Sequence, residues 1–120
     1  MKTVFITGTN KGLGLEFTRQ YLNEGWNVIA TCRSPSTAKG LLSLGEKHPN
    51  SLTIFSMDLT NEASIKQIGE EIEVRPIDVF ISNAGTAIGY TSGANLNDFG
   101  NVQSELRVNI FRTNCVALYF

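Results

Sequence analysis

Short apolar runs and longer amphipathic segments alternate along the chain. The apolar runs are rich in β-branched residues and lie at residues 3–6, 27–31, 52–56 and 77–81. Three of the runs carry almost no polar alternation, which is typical of strands covered by helices on both faces. Because segments with helical spacing separate these runs, the pattern predicts βαβ units and a parallel sheet.

Helical spacing is clearest in the first segment between these runs. Leu13, Phe17 and Tyr21 lie four residues apart on one face, and Gly25 follows where a helix C-cap favours glycine. Residues 36–47 predict a weaker helix.

The third helix has a clearer start. Thr60 or Asn61 can serve as its N-cap, and the apolar face that follows consists of Ile65, Ile68 and Ile72.

The end of the chain predicts a loop and then a last helix. Residues 85–101 are rich in Gly, Thr, Ser and Asn, and the apolar residues of 102–120 have helical spacing. The pattern therefore predicts no strand after residues 77–81. That strand would have a free apolar edge, so we expect the chain to self-associate through it.

A glycine-rich turn joins the first predicted strand to the first helix, and it reads Thr7-Gly8-Thr9-Asn10-Lys11-Gly12-Leu13-Gly14. Glycines let the backbone turn tightly and approach a pyrophosphate, whose charge the free amides of a helix N-terminus stabilise. The turn is not a P-loop, because no Gly-Lys-Ser/Thr triplet follows at the required spacing. It indicates a dinucleotide site; the alternative is a tight connection with no ligand.

Composition limits the range of functions. A chain of 120 residues fits one compact domain, and ten basic against 11 acidic side chains indicate binding neither to nucleic acid nor to an anionic membrane. Cys32 and Cys115 lack the neighbours of a zinc site or a secreted disulfide framework, so we expect a reducing compartment, the cytoplasm. No apolar run approaches the roughly 20 residues of a membrane span.

The glycine-rich turn resembles the nucleotide-binding signature of the short-chain dehydrogenase/reductase family, which are Rossmann-fold, NAD(P)-dependent oxidoreductases. Further family landmarks follow in order: Cys32-Arg33, Asp58-Leu59, Asn83-Ala84-Gly85 and Val108-Asn109. Residues 12–17 and 28–35 further resemble the carbonyl-reductase-like branch that contains the C-factor and sniffer proteins. The resemblance implies an α/β fold with strand order 3-2-1-4, in which residues 1–120 form a partial NAD(P)-binding domain truncated before the family's second half.

The resemblance also implies the cofactor contacts. They are Gly8, Thr9, Asn10, Lys11, Gly12, Leu13, Gly14, Arg33, Asp58, Leu59, Asn83, Ala84 and Gly85. Asp58 would contact the adenine ring, although a turn or capping role is the alternative. For Asn83-Ala84-Gly85, a structural role that ties strand four to its neighbours coexists with close approach of the cofactor ribose.

The charges near the second strand favour NADP(H) over NAD(H). An NAD site usually places Asp or Glu about 20 residues after the glycines, whereas residues 26–44 contain no acidic residue. Arg33 and Lys11 could instead bind the 2′-phosphate. The alternative is that both are ordinary solvated charges.

The family's proton donor is missing from the sequence. Members carry Tyr-x-x-x-Lys on one helical face and a nearby serine, but no tyrosine here has a lysine four residues later. Asn109 alone matches the catalytic tetrad, and a purely structural asparagine is the alternative. We therefore expect the cofactor-binding half of a reductase of small carbonyls or secondary alcohols, inactive as this chain alone. A non-catalytic dinucleotide-binding module, or an inactive truncated product, is the competing interpretation.

Overall fold

The computed structural model describes residues 2–58, 61–72, 76–83 and 116–119. In chain order the elements are β1 (Thr3–Thr7), α1 (Gly12–Asn23), β2 (Asn27–Cys32), a 3₁₀-helix (Pro35–Thr37), α2 (Lys39–Lys47), β3 (Leu52–Ser56), α3 (Glu62–Glu71), β4 (Val79–Ser82) and β5 (Val116–Tyr119). None of the helices in these ranges is long and apolar enough to cross a lipid bilayer.

The strands form one sheet in the order β3-β2-β1-β4-β5, and each neighbouring pair is parallel. In the register, Phe5 on β1 lies opposite Ile29 on β2 and Phe80 on β4. The predicted order 3-2-1-4 and the Rossmann-like fold are confirmed. Because the pairs are parallel, all the carboxyl ends lie along the same edge of the sheet.

The fifth strand corrects the prediction for the end of the chain. We predicted a helix through residue 120, but Val116–Tyr119 is a strand that pairs with β4, with Val116 opposite Val79. Periodicity alone cannot separate a short, continuous apolar run from a piece of helix. Since β4 has a partner on each side, the argument for self-association through its free edge is wrong. The predicted loop and the start of the predicted helix lie outside the described residues.

Helices cover both faces of the sheet, as the uniform apolar strands predict. One face packs against α1 and α2, and its buried cluster includes Val4, Ile6, Leu22, Val28 and Leu41. The other face packs against α3, and its cluster includes Phe5, Ile29, Ile65, Ile72 and Phe80. The rings of Phe5 and Phe80 stack with their centroids 5.6 Å apart. Side chains on successive strand residues point to opposite faces, so a single strand, β1, contributes to both clusters.

The helix ends follow local chemistry. Asn61 is the N-cap of α3, as predicted, and its side-chain oxygen accepts a hydrogen bond from the Ser64 N–H. Gly25 has φ +85°, a left-handed conformation that favours glycine beyond the end of α1. The predicted helix over residues 36–47 is divided, because Ala38, with φ −85° and ψ 75°, leaves the helical region and separates the 3₁₀-helix from α2.

Candidate functional site: a glycine-rich turn at the carboxyl edge of the sheet

The candidate site lies at the carboxyl edge of the sheet, around the turn that leads from β1 into α1. In the order β3-β2-β1-β4-β5, the chain leaves β1 toward β2 and β3 on one side and reaches β4 on the other. Such a topological switch point opens a crevice outside the strand ends, which is where open α/β sheets bind ligands. The predicted cofactor-binding residues that the structure describes lie at or next to this edge.

Two structural reasons explain the three glycines of the turn. Gly8 and Gly12 have φ +68° and +61°, in the left-handed region that other residues rarely adopt. A Cβ built on Gly14 would lie 2.0 Å from the Gly8 carbonyl oxygen, so α1 can approach the turn this closely only with glycine there. Among the described residues, a Cβ on Gly12 would meet nothing within 4 Å, so none of them blocks a ligand at this point of the turn.

The first turn of α1 has no negative group of its own. Its N-cap, Lys11, makes no side-chain capping hydrogen bond, and no acidic residue lies in the first helical turn. By contrast, the side chain of Asn61 caps α3. Within the part of the chain that the structure describes, the first N–H groups of α1 and the positive end of its dipole are therefore available to an anion. Asn10 and Lys11 are exposed beside this helix end, and Leu13 is 50% exposed.

Hydrogen bonds to both neighbouring strands fix the turn. The Thr9 N–H and hydroxyl both donate to the Thr31 carbonyl at the end of β2, at 3.1 and 3.0 Å. On the other side, the Asn83 N–H donates to the Thr7 hydroxyl at 3.0 Å, and the Asn83 side-chain amide donates to the Gly8 carbonyl at 3.2 Å. The turn is thus held on both sides before any ligand binds.

These contacts refine what the sequence analysis expected of two residues. Asn83 ties β4 to the β1 turn, which is the structural role we expected for it. Thr9, one of the expected cofactor contacts, is fully buried and uses its hydroxyl to anchor the turn. Thr31 and Thr7, which also hold the turn, were not predicted from the sequence. Thr31 acts through its backbone carbonyl, and a backbone acceptor gives no signal in the residue type.

A pair of opposite charges lies beyond the ends of β2 and β3. Arg33 Nε lies 4.0 Å from Asp58 Oδ2, and the two side chains are 56% and 38% exposed. We expected both residues at the adenosine end of a dinucleotide, and the structure brings them together. Their mutual contact was not predicted.

Cys32 ends β2 directly before Arg33 and is buried. Burial raises the pKa of its thiol, and a hydrogen bond with the Ser34 backbone opposes that effect in part. The thiol therefore stays protonated near neutral pH and packs as a small apolar side chain. Leu59, Ala84, Gly85 and Asn109 lie outside the described residues, so their roles remain predictions.

Comparison with known proteins gives consistent matches. The model of the family described as short chain dehydrogenase matches residues 2–119. An uncharacterized oxidoreductase of Bacillus subtilis, YusZ, is 37% identical over 91 residues, which cover 73% of this chain and 32% of that protein. The short chain dehydrogenase gsfK of Penicillium aethiopicum is 34% identical over 113 residues, covering 91% of this chain and 45% of its own length. The chain thus spans less than half the length of these relatives.

Solved structures share the fold. A carbonyl reductase from Pseudomonas aeruginosa superimposes with a TM-score of 0.80 at 27% identity, over 91% of this chain and 56% of that chain. The structure of a carbonyl reductase from the same organism in complex with NADP gives the same values.

Proposed function

Because the chain belongs to the short-chain dehydrogenase family, we propose that residues 1–120 form the NADP(H)-binding part of an oxidoreductase. Membership makes nicotinamide chemistry the expected reaction class, and the NADP complex of a similar carbonyl reductase supports a dinucleotide as the ligand. The residues of this chain supply the proposed cofactor contacts, from the pyrophosphate to the adenosine end.

The observation that carries the proposal is the start of α1, which has no side-chain cap at Lys11, beside the left-handed Gly12, where none of the described residues lies within 4 Å of an added Cβ. A pyrophosphate at this position would accept hydrogen bonds from the N–H groups of Gly12, Leu13 and Gly14 and would lie on the helix axis. Hydrogen bonds already hold the turn on both sides, so little ordering of the protein would oppose binding.

The preference for NADP(H) follows from charge. Arg33 is more than half exposed at the end of β2, where its guanidinium could hold a 2′-phosphate by two parallel hydrogen bonds. Lys11 adds a second cation at the turn. Asp58 and the backbone of Leu59 would contact the adenine, and Asn83-Ala84-Gly85 would let the ribose approach β4.

The reaction that we propose is hydride transfer between the nicotinamide of the bound cofactor and a small carbonyl or secondary alcohol. The resemblance to the C-factor and sniffer branch supports such substrates, and Asn109 is the residue that matches the family's catalytic tetrad. The Tyr-x-x-x-Lys donor does not occur in these 120 residues. The function is therefore tested on this chain by cofactor binding.

The experiment titrates NADPH and NADH into the wild-type chain and into Arg33→Ala by calorimetry. Loss of a charge-assisted bidentate contact is worth about 1.5–3 kcal/mol, so we expect at least about tenfold weaker NADPH binding and unchanged NADH binding. Arg19→Ala is the matched control, since Arg19 is an exposed arginine on α1 that pairs with Glu16. Equal wild-type affinities for the two cofactors would contradict the preference, and absence of saturable binding would contradict the function.

A further inference from the structure

We propose that Asp58 sets the size of the preference for a 2′-phosphate by competing with that phosphate for the Arg33 guanidinium. The inference rests on the proposed function, since it assumes that the adenosine end of a dinucleotide binds here. The observation behind it is the ion pair of Arg33 and Asp58 at the strand ends, with a separation of 4.0 Å between Nε and Oδ2.

The backbone at Arg33 is fixed by its neighbours on β3. The Ser56 hydroxyl donates to the Arg33 carbonyl at 3.1 Å. Next to this contact, the N–H of Met57, which follows Ser56, donates to the carbonyl of Cys32, which precedes Arg33, at 2.9 Å. Parallel pairing of β2 and β3 thus continues just beyond the strands and holds the base of the Arg33 side chain.

The backbone at Asp58 is held from the other side by the start of α3. Its N–H donates to the Ser64 hydroxyl at 3.0 Å, and its carbonyl accepts a hydrogen bond from the Asn61 N–H at 3.0 Å. With both main chains fixed, the carboxylate and the guanidinium stay within reach of each other, and only side-chain torsions can separate them.

The pair is built to exchange partners. A separation of 4.0 Å exceeds the length of a charge-assisted hydrogen bond, roughly 2.7–2.9 Å, and both side chains are more than a third exposed. Solvent and salt therefore screen their attraction, and the pair is weak. A phosphate that offers two oxygens in the plane of the guanidinium can displace the carboxylate, but the carboxylate remains nearby and opposes the phosphate.

The state of the Arg33–Asp58 pair would then differ between the phosphorylated and the unphosphorylated cofactor. A dinucleotide with a free 2′-hydroxyl leaves the Arg33–Asp58 pair intact, whereas a 2′-phosphate must replace Asp58 as the partner of Arg33. Asp58 thereby reduces the advantage of the phosphorylated cofactor. If the pair instead only joined β2 to β3, removal of its charge would change stability and leave the ratio of affinities unchanged.

The experiment compares binding of 2′,5′-ADP and 5′-AMP, which carry the adenosine ends of NADP and NAD without nicotinamide. Asp58→Asn keeps the shape and a hydrogen-bonding oxygen but removes the charge. Because both ligands carry the adenine that Asp58 would contact, a change in that contact affects both affinities alike. We therefore expect the ratio of the affinity for 2′,5′-ADP to that for 5′-AMP to rise about two- to fivefold, with a smaller gain in this ratio at high salt. Glu71→Gln is the control, because it makes the same charge change at the far end of α3, about 15 Å along a ten-residue helix.

Repetition in an Arg33→Ala background separates competition from simple repulsion. In this background we expect the gain in the affinity ratio from Asp58→Asn to fall below twofold, because the carboxylate has no guanidinium to pair with. Asp58→Ser repeats the comparison should the asparagine variant be unstable. If Asp58→Asn left the ratio of the affinities for 2′,5′-ADP and 5′-AMP unchanged, or raised it equally in both backgrounds, the competition proposal would be overturned. Binding of 2′,5′-ADP by the wild type would still support the proposed function in that case. Failure of the wild type to bind either ligand would overturn both.

Discussion

The substitution Gly14→Ala tests the closest approach in the glycine-rich turn. The added Cβ would lie 2.0 Å from the Gly8 carbonyl oxygen and 2.8 Å from the Asn83 side-chain nitrogen. The oxygen belongs to the backbone and cannot rotate away, so α1 and the turn would have to separate by more than about 1 Å to restore van der Waals contact. The added Cβ would also disturb the hydrogen bond from the Asn83 side chain to the Gly8 carbonyl.

The expected cost follows from that overlap. Overpacking of a well-packed site costs about 1–3 kcal/mol, and alanine returns up to about 1 kcal/mol through helix propensity. We place the clash at the upper end of its range because its main partner is backbone, which leaves a net loss of about 2 kcal/mol. For a chain of 120 residues that corresponds to a Tm lower by about 8 °C. We also expect weaker binding of 2′,5′-ADP, because the N–H groups of the α1 start would move.

Two other helical glycines provide matched controls. A Cβ on Gly45 would meet Ile54 and Leu52 at 3.8 and 3.9 Å, an ordinary contact, so Gly45→Ala should stabilise the chain by about 0.5–1 kcal/mol. A Cβ on Gly40 would lie 2.8 Å from a methyl of Leu15, which can rotate, so its effect should lie between the two. Thermal unfolding followed by circular dichroism measures all three variants. A Gly14→Ala chain as stable as the wild type, with unchanged binding, would show that the close approach of α1 to the Gly8 carbonyl does not require glycine.

Two further predictions concern polar contacts. Asn83→Ala removes the side-chain hydrogen bond to the Gly8 carbonyl and should cost about 1 kcal/mol in urea unfolding, with weaker binding of 2′,5′-ADP; unchanged stability would show that the turn does not depend on this contact. Hydrogen bonds from Arg19, and then Gln20, lower the pKa of Glu16 from 4.5 to about 2, so the folded state favours its carboxylate. The stabilisation is present above pH 4.5 and is lost as the pH falls toward 2, and a carboxyl NMR titration should give a midpoint well below 4.5 that Arg19→Met returns toward the ordinary value.

Most strands could be predicted because burial on both faces leaves a plain signal in the residue types. The bounds of β3 agree with the prediction, and β1 and β2 each extend by one residue. The predicted fourth strand begins too early. Just before Val79, Asp78 bonds Thr3 in two ways: its N–H donates to the Thr3 carbonyl at 2.8 Å, and its carboxylate accepts a hydrogen bond from the Thr3 N–H at 2.8 Å. The strand β5 could not be identified, because a four-residue apolar run fits a helix equally well.

The site could be predicted in part, for a similar reason. Gly8 and Gly12 serve the backbone conformation of the turn itself, so their positions are visible in the sequence. The anchor at the Thr31 carbonyl and the contact between Arg33 and Asp58 depend on how β2 lies beside β1 and β3. Contacts of this kind come from the order and register of strands, which residue types specify only through the complete fold.

A titration of the ¹⁵N-labelled chain with NADP⁺ tests whether the carboxyl edge of the sheet binds a dinucleotide, because it reports on each amide separately. We expect saturable shifts that are largest at Gly12, Leu13, Gly14 and Arg33, with little change at Lys47, which lies at the far end of α2. Repetition with NAD⁺ should reproduce the shifts at the three α1 residues and reduce the shift at Arg33. Shifts centred elsewhere, or none up to millimolar NADP⁺, would contradict the assignment of this edge of the sheet as a dinucleotide site.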